Sequence, residues 1–202
     1  LIYNSKRQNP TDIGEAMIFE EKTIGTERIY EGKVLNLRKD KVTVENGVSY
    51  REIVEHNGGA VIAAVTKDDK LVMVRQYRKP AERVVLEVPA GKIDPGEEPG
   101  KTAARELKEE TGYDAEDIEF LTSFYPTVGY SQEQLYLFLA TGLTPGETSF
   151  DENEAIDIEE TDVETLYKMV MGGDIHDAKT MIAVLMVREL ISSGKLRGGR
   201  KL

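Results

Sequence analysis

Residues Gly91 to Tyr113 read GKIDPGEEPGKTAARELKEETGY, and three glutamates, Glu106, Glu109 and Glu110, crowd the second half. From about Pro99 to Glu110 the segment predicts a helix: Ala103, Ala104 and Leu107 share helical spacing, and Gly112 stands where a C-terminal cap glycine would. On that helix Glu106 lies beside both Glu109 and Glu110, and like-charge neighbours of this kind cost roughly 0.2–0.5 kcal/mol each. Arg105, one turn before Glu109, offsets part of the repulsion. A solvated face alternates its signs, whereas this cluster calls for an outside cation. Hard divalent ions such as Mg2+ or Mn2+ take oxygen ligands and share their shell with substrate phosphates. A plain acidic helix is the other reading of the same spacing.

Before this segment the chain reads as strands. RIYEG, KVLNLRKDKVTV and SYREIVEH, between Thr23 and Glu55, predict an antiparallel meander with a turn at Glu45-Asn46-Gly47. AVIAAVT and KLVMVRQYR, joined by Lys67-Asp68-Asp69-Lys70, predict a hairpin whose first strand is buried on both faces. RVVLEVPAG predicts a third strand ending at Pro89 and Gly91. After the helix come strands in IEFLTSFYP and EQLYLFLATGL, an acidic loop from Phe150 to Glu160, a short helix near Val163 to Met171 and a last helix from Ala178 to Ile191. This order predicts an α+β fold, a mixed sheet with helices on its faces, preceded by a small antiparallel β subdomain.

The 202 residues suit one ordinary domain with an appendage, and 40% hydrophobic with 31% charged residues is globular composition. A formal charge of −11 argues against nucleic acid or an anionic membrane as partner, since both select a basic face. With no cysteine there is no disulfide, thiolate zinc site or cysteine nucleophile, which fits a reducing, cytoplasmic location. His56 and His176 are the only histidines, and each reads as local hydrogen bonding rather than catalysis. Residues 1–16 read as a flexible leader or tag remnant ahead of Met17, 17–57 as the β subdomain, 58–195 as the main domain and 196–202 as a flexible basic tail.

Gly91, then Glu97, then Arg105-Glu106-Leu107-Lys108-Glu109-Glu110-Thr111-Gly112-Tyr113 matches the Nudix box, GX5EX7REUXEEXGU, at every defined position. The chain therefore resembles Nudix hydrolases, which implies an α/β/α sandwich and cleavage of a nucleoside diphosphate linked to another moiety. Carried over by position, Glu106 and Glu110 resemble the principal metal ligands, Glu109 a carboxylate that serves a further ion and the catalysis, and the Ala90 carbonyl an additional ligand. Gly91, Glu97, Arg105 and Gly112 resemble the structural members of the box, with Glu97 and Arg105 the buried pair that ties loop to helix.

Across residues 23 to 192 the chain is also similar to the ADP-ribose pyrophosphatase subgroup. The matching pieces are Arg51-Glu52-Ile53, Arg75-Gln76-Tyr77-Arg78, Glu87 in LEVPAGK, the loop from Pro126 to Glu133, Asp151-Glu152-Asn153-Glu154 and Asp177-Ala178-Lys179-Thr180. The resemblance implies Arg51, Arg78 and Glu87 on the substrate, since the planar arginine fork suits diphosphate oxygens. It implies Glu152 as the base that orients water, Glu133 as its rival, and Glu154 as an auxiliary ligand. Arg75 alternates with Tyr77 and is expected to point elsewhere. Tyr30 reads as a core or interface residue before a base-stacking one, and Tyr125 and Tyr130 as pocket lining or packing.

One departure stands out: where the subgroup carries an SPG triplet this chain has Thr127-Val128-Gly129, with Pro126 two residues early. The expected activity is Mg2+-dependent hydrolysis of ADP-ribose to AMP and ribose 5-phosphate by a homodimer. The alternatives are another nucleoside diphosphate sugar, such as GDP-mannose, or a module that binds ADP-ribose without turnover.

Overall fold

In the computed structural model, which describes residues 19–149 and 155–201, the chain is organised around strand β4 (Gly59–Ala64), in which every residue is buried. Its side chains alternate between two cores. Ala60, Ile62 and Ala64 pack with Ala103 and Leu107 of helix α1 (Pro99–Thr111). Val61 and Ala63 pack with Val163, Leu166 and Val170 of α2 (Val163–Gly172) and Ala183, Val184 and Val187 of α3 (Ala178–Ser192). A strand covered by helices on both faces has no polar side to show, which is why its sequence lacks the usual alternation. Each large aliphatic side chain buried there contributes roughly 1.5–3 kcal/mol.

β4 shares a mixed sheet with β7 (Ala90–Lys92), β9 (Leu135–Thr141) and β8 (Asp117–Phe124), in the order β7-β4-β9-β8; β4 and β9 run parallel and the outer pairs antiparallel. A second, antiparallel sheet is built from β10 (Asp157–Asp162), β5 (Lys70–Arg78) and β6 (Arg83–Glu87), with β5 in the middle. β5 joins the same two cores, Val72 on the α1 side and Leu71 with Met73 on the other. The two sheets form the middle layer of an α/β/α sandwich.

Three expectations about the strands give way here. The AVIAAVT and KLVMVRQYR strands turn back on each other but do not form a paired hairpin. Both edges of β4 are taken by β7 and β9, so β5 meets the chain just past β4, at the Val65–Leu71 bridge and through the 2.9 Å bond from Thr66 N–H to the Lys70 carbonyl. RVVLEVPAG is two strands, β6 and β7, parted around Pro89, whose carbonyl accepts from Ile62 N–H at 2.9 Å. The acidic segment expected as loop up to Glu160 is strand from Asp157 onward, because β10 pairs along β5 and Arg75 meets Glu159 through Nε at 2.7 Å and Nη2 at 3.2 Å.

Helix α1 starts with proline in its first turn and ends at Gly112, whose φ of 73° lets its N–H reach the Lys108 carbonyl. A Cβ there would stand 2.7 Å from the Gly146 carbonyl oxygen, so glycine is needed on both counts. α3 is capped by Asp177, which accepts from Thr180 N–H. In place of the flexible tail, β11 (Leu196–Arg197) and β12 (Arg200–Lys201) pair as a small hairpin, held because Leu196 is buried and Gly199 N–H reaches Asp69.

The predicted meander is present as β1 (Thr23–Glu31), β2 (Asn36–Val44) and β3 (Gly47–Glu55). β1 is exposed along its whole length, and Ile24, Ile29, Tyr30, Val48 and Tyr50 all face solvent. The sheet is tied to the sandwich where Val54 N–H donates to the Tyr130 carbonyl at 2.7 Å and Gln132 N–H to the Val54 carbonyl at 2.9 Å. Among the described residues, no helix is long and apolar enough to cross a membrane.

Candidate active site

The helical reading of the glutamate cluster sets up its geometry. α1 packs against β7, and the Glu110 carboxylate, buried, accepts from Ala90 N–H at 3.1 Å. Glu106 lies against Gly91 so closely that a Cβ on that glycine would stand 1.8 Å from the Glu106 carboxyl carbon. The glycine is therefore a cradle for a carboxylate, and Ala90 and Gly91 receive two of the three clustered acids.

Arg105 offsets the remaining repulsion. Its Nη1 donates to Glu106 at 2.7 Å and to Glu109 at 2.9 Å, while Nε and Nη2 grip Glu97 at 3.2 and 3.1 Å. Arg105 and Thr102 together hold the Glu97 carboxyl down at about 2, and the Glu97 hydrogen bonds in turn raise Arg105. The expected loop-to-helix pair is present, but it is partly exposed rather than buried, with side chains 34% and 21% accessible.

Ala90 and Gly91 also form part of the wall of a cleft of about 740 Å³. Arg78 from the end of β5 and Glu87 from the end of β6 line the same cleft, together with Glu133 from the loop before β9. Glu87 is 2% exposed. It accepts from Arg78 Nε at 2.7 Å and Nη2 at 2.8 Å, and it also pairs with Lys179. Burial alone would push the Glu87 carboxyl up, but the two cations outweigh it and hold the group below the usual carboxylate range.

The expected residues thus divide. Arg78, Glu87, Ala90, Gly91 and Glu133 meet in one cleft, with Glu106 and Glu110 against its Ala90–Gly91 wall. Arg51 does not line it: on β3 its guanidinium pairs with Glu21 and donates to Ser49 at 3.0 Å. Arg75, expected elsewhere, is held by Glu159. Glu152 and Glu154 lie outside the described residues. His56 accepts from Gly58 N–H at 3.0 Å and stands 3.6 Å from Glu133, and His176 meets the Asp174 carbonyl, so both make the local contacts expected while also lining the cleft. The sequence reading missed Arg83, Lys92 and Lys179 as lining residues. Lys179 lay within a quoted segment, but its partner Glu87 is distant in sequence and no spacing rule joins them.

Among the described residues no three acidic or histidine side chains are gathered tightly enough around one point to hold a metal ion. Glu106 and Glu109 share Arg105 instead, and Glu110 is held by Ala90. The donor types nonetheless fit a hard divalent cation: all are carboxylate oxygens, and Glu106 and Glu110 lie against Ala90 and Gly91, where glycine leaves out the side chain that would obstruct Glu106.

The chain is similar to known proteins along most of its length. The NUDIX domain profile matches residues 56–183. A methanol dehydrogenase activator of Bacillus methanolicus is 45% identical over 170 residues, covering 83% of this chain and 92% of that protein. An ADP-ribose pyrophosphatase of Bacillus subtilis is 43% identical over 181 residues, 87% of this chain and 98% of that one. The solved structure of an ADP compounds hydrolase superposes with a TM-score of 0.77 at 24% identity, covering 89% of this chain and 98% of the other, a likeness of fold.

Proposed function

Since the chain belongs to the Nudix family, we propose that it hydrolyses the diphosphate of ADP-ribose with Mg2+, releasing AMP and ribose 5-phosphate. The observation that carries this reading is that Glu106 and Glu110 of the intact glutamate cluster lie against Ala90 and Gly91, which line a cleft that also presents Arg78. The substrate rests on the pyrophosphatase relative, which is similar along nearly its whole length.

Glu106, Glu109, Glu110 and the Ala90 carbonyl would hold the cation, with Glu154 as an auxiliary ligand. When bound, it supplies charge neutralisation at the diphosphate and a more acidic water. Arg78 uses Nε and Nη2 on Glu87 and leaves Nη1 to donate to a phosphate oxygen. Glu152 takes the proton of the attacking water, with Glu133, already in the cleft wall, as the rival for that role. Arg105 and Glu97 keep the helix and the preceding loop in register.

The exposed apolar side chains of β1 and β3 support a homodimer, in which a second copy covers Ile24, Ile29 and Tyr30 and brings Arg51 towards a substrate. The lack of cysteine supports a cytoplasmic location.

The test is incubation with Mg2+ and ADP-ribose, GDP-mannose, ADP-glucose, NADH or diadenosine polyphosphates, with products separated by chromatography. AMP and ribose 5-phosphate formed fastest from ADP-ribose is the expected result. Faster cleavage of another compound would reassign the substrate, and tight binding without turnover would make the protein a sensor.

A further inference from the structure

We propose that Lys179 is a positioning residue for substrate binding, acting through Glu87 to hold Arg78 ready for the diphosphate; this rests on the reading of Arg78 given above. Four charged groups form a chain across three elements. Arg78 on β5 donates twice to Glu87 on β6, Lys179 in the first turn of α3 donates to the same Glu87 oxygen that Nη2 uses, and Asp177 accepts from Lys179 at 3.0 Å. Asp177 also accepts from Thr180 N–H at 3.1 Å and Thr180 Oγ1 at 2.6 Å, and Val88 N–H donates to Thr180 Oγ1 at 2.9 Å. The turn that carries Lys179 is therefore fixed to the strand that carries Glu87.

The Lys179 side chain is only 12% exposed and its ammonium is shared between two carboxylates, so it is placed to act on Glu87 rather than on a ligand. Arg78 is more open, at 41%. Its clamped edge fixes the guanidinium plane, and Nη1 has no partner among the described residues. The four charges sum to zero. Without Lys179 the group carries one net negative charge beside the site for an anionic diphosphate, and Glu87 is left to Arg78 alone.

Lys179→Met is expected to raise KM for ADP-ribose about tenfold while kcat stays within about threefold, and Lys179→Arg to restore most of the loss. In an Arg78→Met background Lys179→Met should add little further, because the two act in series. A KM unchanged by Lys179→Met, or effects that simply add, would overturn the proposal. Should Lys179→Met not fold, Glu87→Gln combined with Lys179→Met removes both charges together; wild-type KM in that variant would also overturn it. The Kd for ADP-ribose in EDTA, by calorimetry, carries the same expectation without turnover. Absent turnover in the wild-type protein defeats the proposed function, whereas an unchanged Kd in Lys179→Met defeats the positioning role.

Discussion

β4 and β1 both carry apolar side chains, five of six residues in β4 and three of nine in β1, and they treat them in opposite ways. β4 is buried on both faces and both edges are paired, while β1 forms one edge of its sheet and leaves Ile24, Ile29 and Tyr30 in solvent. An apolar side chain is therefore buried by what packs on it: β4 has helices on either side, whereas among the described residues β1 is paired with β2 alone. The contrast also separates two kinds of work, a sandwich that fixes charged groups around a cleft and a sheet with an open surface.

The largest effect should come from the sandwich. Glu106→Gln or Glu110→Gln is expected to lower kcat at saturating Mg2+ by about 100-fold or more, with the thermal midpoint little changed, because each removes a charge rather than packing. Near-normal turnover would remove these residues from the ligand set. Next, the same substitution made in both regions sets them side by side. Ile62→Ala should cost about 2–5 kcal/mol in urea unfolding, and Ile24→Ala within about 0.5 kcal/mol for a lone copy. A cost for Ile24→Ala that varies with protein concentration would support the proposed homodimer.

Glu97 lets acid titration probe the sandwich. Glu97 is held at about 2, below its ordinary 4.5, so its contribution is complete above about pH 4.5 and is lost as pH falls towards 2. Glu97→Gln should be less stable at neutral pH and flatter across that window, followed by circular dichroism; an unaltered slope would detach Glu97 from the acid response. The smallest effect is expected from Tyr113→Phe. The Tyr113 hydroxyl donates to Glu160 at 2.6 Å and is pushed up to about 12. Its contribution is therefore full below pH 10 and lost through 12, and because Glu160 is exposed the substitution should cost only about 0.5 kcal/mol near neutrality. A larger loss would mean that this contact anchors β10.

Much of this was legible in the chain. The glutamate spacing placed α1 and its carboxylates, Gly112 marked the cap, and alternating runs gave the meander, since each is a local pattern. What could not be read depends on distant partners. The acids from Asp157 to Glu160 look like loop until Arg75 and Tyr113 are seen to receive two of them. β4 and β5 look like a hairpin until β7 and β9 occupy the edges of β4. The Glu87–Lys179 contact links the third sandwich strand to the last helix, and only the folded chain brings them together.

The parallel pairing of β4 with β9 also bears on how the chain is made. Gly59 pairs with Leu135, so one edge of the most apolar strand waits for residues synthesised long after it, even once β7 has covered the other. Long-range parallel pairing is slow to form, and an unpaired apolar edge is prone to association with other chains. Until Leu135–Thr141 has been made, Gly59–Ala64 thus keeps an apolar edge without its native partner.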